Sequence, residues 1–222
     1  MMDSIQIRYS PDETENVGIS TIYCVGLNYA EHAVEMKSER PKEPVIFLKP
    51  ASALVTGNRD VEYPAQTQEL HHEVEVVVAL ARDARHLTLE QARDMVLAYG
   101  IGLDLTLRDR QSEAKAKGRP WAVAKGFAQS APVSGFVPAE QVANPQELDF
   151  SLMVNGELRQ QGNTSQMLFA IPELIAYLSS VFQLRRGDLI FTGTPAGVDT
   201  LLRGDHVEAR LEGLAALSFE VV

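Results

Sequence analysis

The sequence predicts an α+β fold, a mixed β-sheet folded upon itself. Two observations carry that expectation. Apolar, β-branched runs of strand length dominate the chain, and the helical segments fall among them irregularly, unlike the regular βαβα alternation of a doubly wound sheet. Late in the chain, strands are joined by a hairpin signal and by glycine turns. With 222 residues, the chain suits a single good-sized domain over residues 19–222, preceded by an N-terminal extension over 1–18.

The elements follow in order. The first 17 residues read as an extension or a short strand pair. Residues 19–27, ISTIYCVGL, form a buried strand, and Asn28 is positioned to cap a short helix over 29–37, YAEHAVEMK. A Pro-rich charged loop (38–44) leads to the strand VIFLKP (45–50), ended by Pro50. A further strand covers 72–80. Residues 88–99 predict a helix: Thr88 and Gln91 form a capping-box pair, Leu89, Ala92, Val96 and Tyr99 give an apolar stripe, and Gly100 ends it. IGLDLTL (101–107) returns as a strand, and RDRQSEAKAKG (108–118) is a polar helix stopped by Gly118. DFSLMVNGELRQQG (149–162) alternates around Asn155-Gly156, a hairpin signal. Residues 165–182 are helical with Pro172 early. LIFTGTPAGV (189–198) is a strand running into a tight glycine turn, and HVEARLEG and LAALSFEVV close the chain with two more strands.

Composition narrows the function classes. Hydrophobic residues make up 45% and charged residues 23%, ordinary for a globular protein. No apolar run reaches the ~20 residues of a membrane span, and the polar, acidic N-terminus has neither a signal-peptide nor a transit-peptide pattern. A formal net charge of −10 argues against nucleic acid or an anionic membrane as partner. Cys24 is the only cysteine, which excludes an intrachain disulfide and a Cys-rich zinc site, and makes a reducing cytoplasm the simplest compartment.

The stretch LHHEVEVVVAL (70–80) raises the chemical question. Glu73 and Glu75 share one strand face, with Cα atoms ~6.5–7 Å apart. That face continues as Val77 and Ala79, while Val74, Val76, Val78 and Leu80 form the other. An E-x-E pair on a strand is commonly a solvated face. Here the acids enter a run that is apolar on both sides. Asp104 lies in a similar setting within IGLDLTL, where an unpaired carboxylate is costly. Three carboxylates without a cysteine ligand suit a hard divalent ion, Mg²⁺ or Mn²⁺. His71 and His72 precede the acids, and hydrogen bonding at a strand end suits them better than ligation.

His32 and Glu35, at i and i+3, share a helix face: either a surface polar pair, or a carboxylate that orients an imidazole to act as a general base. Lys49 and Lys125 lie in apolar surroundings, either snorkelling to water or supplying positive charge. Three carboxylates and a dication still sum to about −1, so an anionic substrate needs such a cation nearby. The turn TGTPAG (192–197) is a strand connection that also offers backbone N–H groups, as at Gly193, and the Thr194 hydroxyl as a carboxylate cradle.

Taken together, these motifs resemble the fumarylacetoacetate hydrolase family. In order they are NYAEHxxE (28–35), EPVIFLKP (43–50), HHEVE (71–75), GxxLDLTLRDxQ (100–111), PWxxAKxF (120–127), VNGELRQxG (154–162) and GDLIFTGTPAGV (187–198). Seven motifs in order, over about residues 19–222, make the resemblance specific, and it points to the short members that act as acylpyruvate hydrolases and oxaloacetate decarboxylases. The resemblance implies the family's β-roll with peripheral helices, a short lid helix carrying His32 and Glu35, and a homodimer. It implies Mg²⁺ or Mn²⁺ on Glu73, Glu75 and Asp104, Gln111 and Lys125 as catalytic positions, and Thr194, Gly193 and Lys49 at the substrate. Two positions depart from the family pattern: Leu27, where many relatives carry a basic residue, and Asp199, where relatives often carry glycine.

The implied reaction is metal-dependent hydrolysis of the C–C bond of a 2,4-dioxo acid, an acylpyruvate, to pyruvate and a carboxylic acid. Oxaloacetate decarboxylation and keto–enol tautomerisation pass through the same enolate and stand as alternatives, as does a family isomerase. A catalytically idle metal-binding interaction module is the alternative of another class.

Overall fold

The computed structural model describes residues 3–35 and 39–222. The N-terminal residues form a hairpin, β1 (Ser4–Ser10) and β2 (Glu13–Gly18). Then come β3 (Thr21–Gly26), α1 (Ala30–Glu35), β4 (Val45–Pro50) and the short β5 (Leu54–Val55). Residues 36 and 37 of the expected first helix lie outside the described residues. Next are β6 (Leu70–His72), β7 (Val74–Leu80), α2 (Leu89–Arg93), β8 (Val96–Leu103), β9 (Thr106–Leu107), α3 (Arg108–Ala116) and α4 (Ala122–Lys125). The C-terminal half adds β10 (Ala131–Pro132), β11 (Val137–Pro138), β12 (Asp149–Val154), β13 (Glu157–Asn163), α5 (Ile171–Val181), β14 (Leu189–Phe191), β15 (Asp199–Leu201), β16 (His206–Leu211) and β17 (Ala215–Glu220).

The central sheet is mixed, in the order β11-β8-β7-β14-β3-β4, with β14 parallel to β3 and antiparallel to β7. A four-stranded antiparallel sheet, β13-β12-β16-β17, and a three-stranded one, β15-β6-β9, pack around it. The expected α+β architecture of folded-over mixed sheets is what forms.

Alternation along β7 sorts its side chains into two cores. Val74, Val76, Val78 and Leu80 join Phe150, Leu152, Leu174 and Leu178 on one side. Val77 and Ala79 join Ile5, Ile7, Val17, Leu189 and Phe191 on the other. Each fully buried Val or Leu contributes about 1.5–3 kcal/mol, and both faces of β7 collect such residues. Asn155 (φ 53°) and Gly156 (φ 77°) make the two-residue turn of the β12–β13 hairpin, as their sequence predicts.

Four expected elements change. The helix over 88–99 stops at Arg93, although its Thr88–Gln91 capping box forms as read. Val96 and Tyr99 instead enter β8, which fills the slot between β7 and β11. Gly100 is no helix stop: a Cβ there would lie 3.1 Å from the Phe136 ring and from Ser134 Oγ. The helix over 165–182 begins only at Ile171, because residues 168 and 169 are occupied by Asn28. Leu168 N donates to Asn28 O at 2.8 Å, and Phe169 N donates to Asn28 Oδ1 at 2.8 Å. Asn28 is thus a clamp and not a helix cap; its Nδ2 also donates to Thr192 O at 2.7 Å. Finally, the strands expected over 72–80 and 101–107 are both interrupted, at Glu73 and at Asp104–Leu105.

Candidate functional site

Those two interruptions build the site. β7 pairs with β8 in the central sheet, whereas β6 pairs with β9 in the three-stranded sheet. Both segments, β6–β7 and β8–β9, therefore cross from one sheet to the other at the same level, and Asp104 N donates to Glu73 O at 2.8 Å across the seam. Where the ladder breaks, Glu73, Glu75 and Asp104 converge, each buried, with ligand oxygens all within 4.8 Å of one another. Asp104 Oδ1 is buried and forms an ion pair with Lys49 Nζ at 2.8 Å, but accepts no hydrogen bond among the described residues. Three hard oxygen donors, one with an unused lone pair, fit Mg²⁺ or Mn²⁺.

Cations surround the acids. Lys125 Nζ donates to Glu73 Oε2 at 2.7 Å, Asp104 Oδ2 at 2.6 Å and Thr106 Oγ1 at 2.7 Å. Arg108 donates to Glu73 Oε1 through Nη2 and to Gln111 Oε1 through Nη1 at 2.6 Å. Burial pushes the Glu73 carboxyl up, but Lys125 and Arg108 outweigh it and hold the group well below the usual carboxylate range. Glu75 goes the other way: burial, then the Asp104 and Glu73 charges, push it well above that range. Its one strong donor is Gly193 N–H, at 2.6 Å. Burial lowers the Lys125 ammonium, but Asp104 and Glu73 carry it upward overall.

Arg108 is the residue that sequence reasoning missed. Its signal was an arginine directly after the apolar LDLTL, at the head of a polar helix; the structure buries it. Two expectations for the substrate side need correction. Lys49 is 1% exposed and sits behind Asp104, bonding Leu105 O and Lys125 O and not lining the cleft. Gly193 spends its N–H on Glu75, so it is not free for a substrate. Glycine is required there for another reason: φ is 103°, and a Cβ would lie 2.6 Å from that of Asn28.

The cleft in front of the acids is lined by His32, Glu73, Glu75, Gln111, Lys125 and Thr194, with Val25, Leu27, Phe47, Arg108, Lys115 and Trp121 completing the wall. His32 is buried, and its Nδ1 lies 3.0 Å from Glu35 Oε2, so the i,i+3 pair forms as spaced. Glu35 Oε1 accepts from Gly197 N at 3.1 Å, tying α1 to the glycine turn. Gln160, also missed, is buried and donates through Nε2 to Thr194 Oγ1 at 2.9 Å and to Pro195 O at 3.0 Å. The Thr194 hydroxyl proton is thereby left to point elsewhere. His72 Nδ1 bonds Gln160 Oε1 at 2.9 Å, while His71 lies against Arg108 and Thr200. Both histidines are hydrogen-bonded at the strand end and neither belongs to the acidic cluster. Of the two departures, Leu27 lines the cleft with φ 59°, and Asp199 opens β15 opposite His72. Roomier grooves exist, such as one of ≈ 500 Å³ lined by Leu89, Tyr99, Ile171 and Pro172. Among the described residues only Glu73, Glu75 and Asp104 form a group that could hold a metal ion, so chemistry and not size singles out the candidate site. No helix among the described residues is long and apolar enough to cross a membrane.

Comparison with known proteins gives a consistent set. The family model "fumarylacetoacetate (FAA) hydrolase C-terminal" matches residues 21–222. The chain is 46% identical over 200 residues to the mitochondrial oxaloacetate tautomerase FAHD1 of Bos taurus, covering 90% of each chain. It is 41% identical over 203 residues to the mitochondrial oxaloacetate decarboxylase of Dictyostelium discoideum, covering 90% of this chain and 93% of that one. The crystal structure of fumarylpyruvate hydrolase from Pseudomonas aeruginosa with Mn²⁺ and pyruvate superposes with a TM-score of 0.94 at 39% identity, covering 100% of this chain and 97% of the other.

Proposed function

The chain belongs to the fumarylacetoacetate hydrolase family, a family of metal-dependent enzymes, and from that premise we propose that it hydrolyses the C–C bond of acylpyruvates, releasing pyruvate and a carboxylic acid. The observation that carries the reading is the His32–Glu35 pair in the same cleft as the three-carboxylate cluster and Lys125. Glu73, Glu75 and Asp104 are the residues to hold Mg²⁺ or Mn²⁺, which when bound supplies a Lewis acid for the 2-oxo group.

The chain's own groups account for the rest. Glu35 accepts from His32 Nδ1–H and fixes the tautomer with a free lone pair on Nε2. His32 then takes a proton from water, whose oxygen attacks the distal carbonyl. The C–C bond breaks, its electron pair passes to the pyruvate fragment as an enolate, and Lys125 stabilises the developing charge. Protonation of that fragment at carbon completes the water's addition. Thr194, accepting from Gln160, keeps its own proton for the substrate carboxylate, and Gln111, oriented by Arg108, contacts the same ligand. Lys49 serves from behind, holding Asp104.

A second reading is favoured by the relatives at 46% and 41% identity: oxaloacetate tautomerisation or decarboxylation. Both need the same enolate stabilisation and no attacking water. Residues 19–222 are the catalytic domain in this reading, and 1–18 an extension that adds Ile5, Ile7 and Val17 to the second core. A homodimer is inferred from the family resemblance, and a cytoplasmic location from the single buried Cys24.

The test is a screen of purified protein with acetylpyruvate, fumarylpyruvate and oxaloacetate, under Mg²⁺, Mn²⁺ or chelator. Metal-dependent pyruvate release from the two acylpyruvates is expected. Turnover of oxaloacetate alone would move the assignment to the second reading, and inactivity on all three would leave the idle metal-binding module.

A further inference from the structure

The cations that line the cleft differ in what neutralises them. Arg108 and Lys125 both contact the Glu73 carboxylate. Lys115, in the last turn of α3, makes no ion pair among the described residues. The acid nearest it on the helix, Glu113, already binds Lys117 at 2.6 Å and Arg110 at 3.6 Å. Lys115 Nζ instead lies 5.1 Å from the centroid of the Trp121 ring, and both residues line the cleft with Gln111 and Lys125. An indole face holds an ammonium in place without cancelling its charge. Trp121 is itself braced on Phe47, with ring centroids 5.9 Å apart.

Lys115 is an exposed residue, and its ammonium rests on Trp121 with no ion-pair partner among the described residues. Partial desolvation, then the neighbouring Arg108 guanidinium, push its ammonium below the usual lysine range. Val25, Leu27 and Phe47, which also line the cleft, carry no charge. With Leu27 apolar, the cation available to a distal anionic group is Lys115 on α3. We propose that Lys115, seated on Trp121, is the subsite for a second carboxylate at the far end of the substrate, which selects dicarboxylic oxo acids over their alkyl-ended counterparts. This rests on the proposed function insofar as the near end of the substrate is a 2-oxo acid held at the three-carboxylate cluster.

Binding of unreactive probes tests the subsite apart from turnover. The full chain loaded with Mg²⁺ is titrated with 2-oxoglutarate and with 2-oxovalerate, which carries methyl where the former carries its distal carboxylate. Trp121 is the only tryptophan, so its fluorescence reports on the subsite, with calorimetry as the second readout. The parent is expected to bind the diacid at least tenfold tighter. Lys115→Met should erase that preference and Lys115→Arg retain it. No preference in the parent, a preference that survives Lys115→Met, or an equal loss on both probes overturns the proposal. A parent that prefers the diacid yet turns over no oxo acid would refute the proposed reaction and leave the subsite standing.

Discussion

Glu75 and Val76 are neighbours on β7, both essentially unexposed, and they belong to two regions built on opposite chemistry. From Val76 to Leu80 the strand is an ordinary sheet interior, hydrogen-bonded to β8 and β14 and packed by apolar side chains on both faces. One residue earlier at Glu75, and at Glu73 in the break between β6 and β7, the chain carries carboxylates into comparable burial. Depth alone does not separate the regions; the supply of partners does. The ladder continues through one region and breaks at the other, where α3, α4 and the loop after β14 bring Arg108, Lys125 and Gly193 N–H to the acids. A buried charge is retained only where such partners exist.

Glu75→Gln breaks the comparison most severely, making the seam more like the sheet interior. It keeps an acceptor for Gly193 N–H and removes the charge that burial and two neighbouring carboxylates penalise. Mn²⁺ affinity should fall by more than ~100-fold, beyond the 10–100-fold typical of residues behind the ligands. The chelator-treated protein should gain about 1–3 kcal/mol in urea unfolding. Tight Mn²⁺ binding by this variant in calorimetry would remove Glu75 from the ligand set.

His32→Ala addresses the seam's chemistry without its charge. Acetylpyruvate hydrolysis should drop ~10²–10⁴-fold, the range for loss of a general base, while Mn²⁺ affinity stays within about threefold in either direction. Hydrolysis at the parent rate would sink the water-activation role. If oxaloacetate turnover also survives in full, His32 takes no part in either chemistry.

Leu80→Ala probes the sheet interior and should have the smallest effect on function. The cavity should cost about 2–5 kcal/mol of stability, with Mn²⁺ affinity unchanged within twofold because Leu80 lies beyond the additive range of the cluster. A parallel loss of metal binding would show that the two regions are one cooperative unit.

Much of this was legible in the amino-acid order. Alternation predicted Glu73 and Glu75 on one face of a doubly buried strand; Glu75 and the residues after it keep that alternation in β7, while Glu73 sits in the break before it and still reaches the same cluster. The i,i+3 spacing of His32 and Glu35 gave their contact, and Asn155-Gly156 gave its turn. Such features depend on neighbours within a few residues, where backbone periodicity dictates direction. The helix expected over 88–99 failed because Val96 and Tyr99 satisfy both periods, and the open slot between β7 and β11 decided for strand. Arg108 and Gln160 escaped notice because their partners lie 35 and 34–88 residues away in sequence.

The sequence by itself pointed to the fold class, to three acids in apolar surroundings and to the contact of His32 with Glu35, since these rest on local pattern and residue chemistry. Tertiary structure alone decided where the strands break, that Lys49 stands behind Asp104, that Gly193 serves Glu75, and that Lys115 has no counter-ion among the described residues. Each of those depends on charges and hydrogen-bonding groups brought together across long stretches of chain. Their energies are set by burial and distance, which exist only once the sheets have folded over one another.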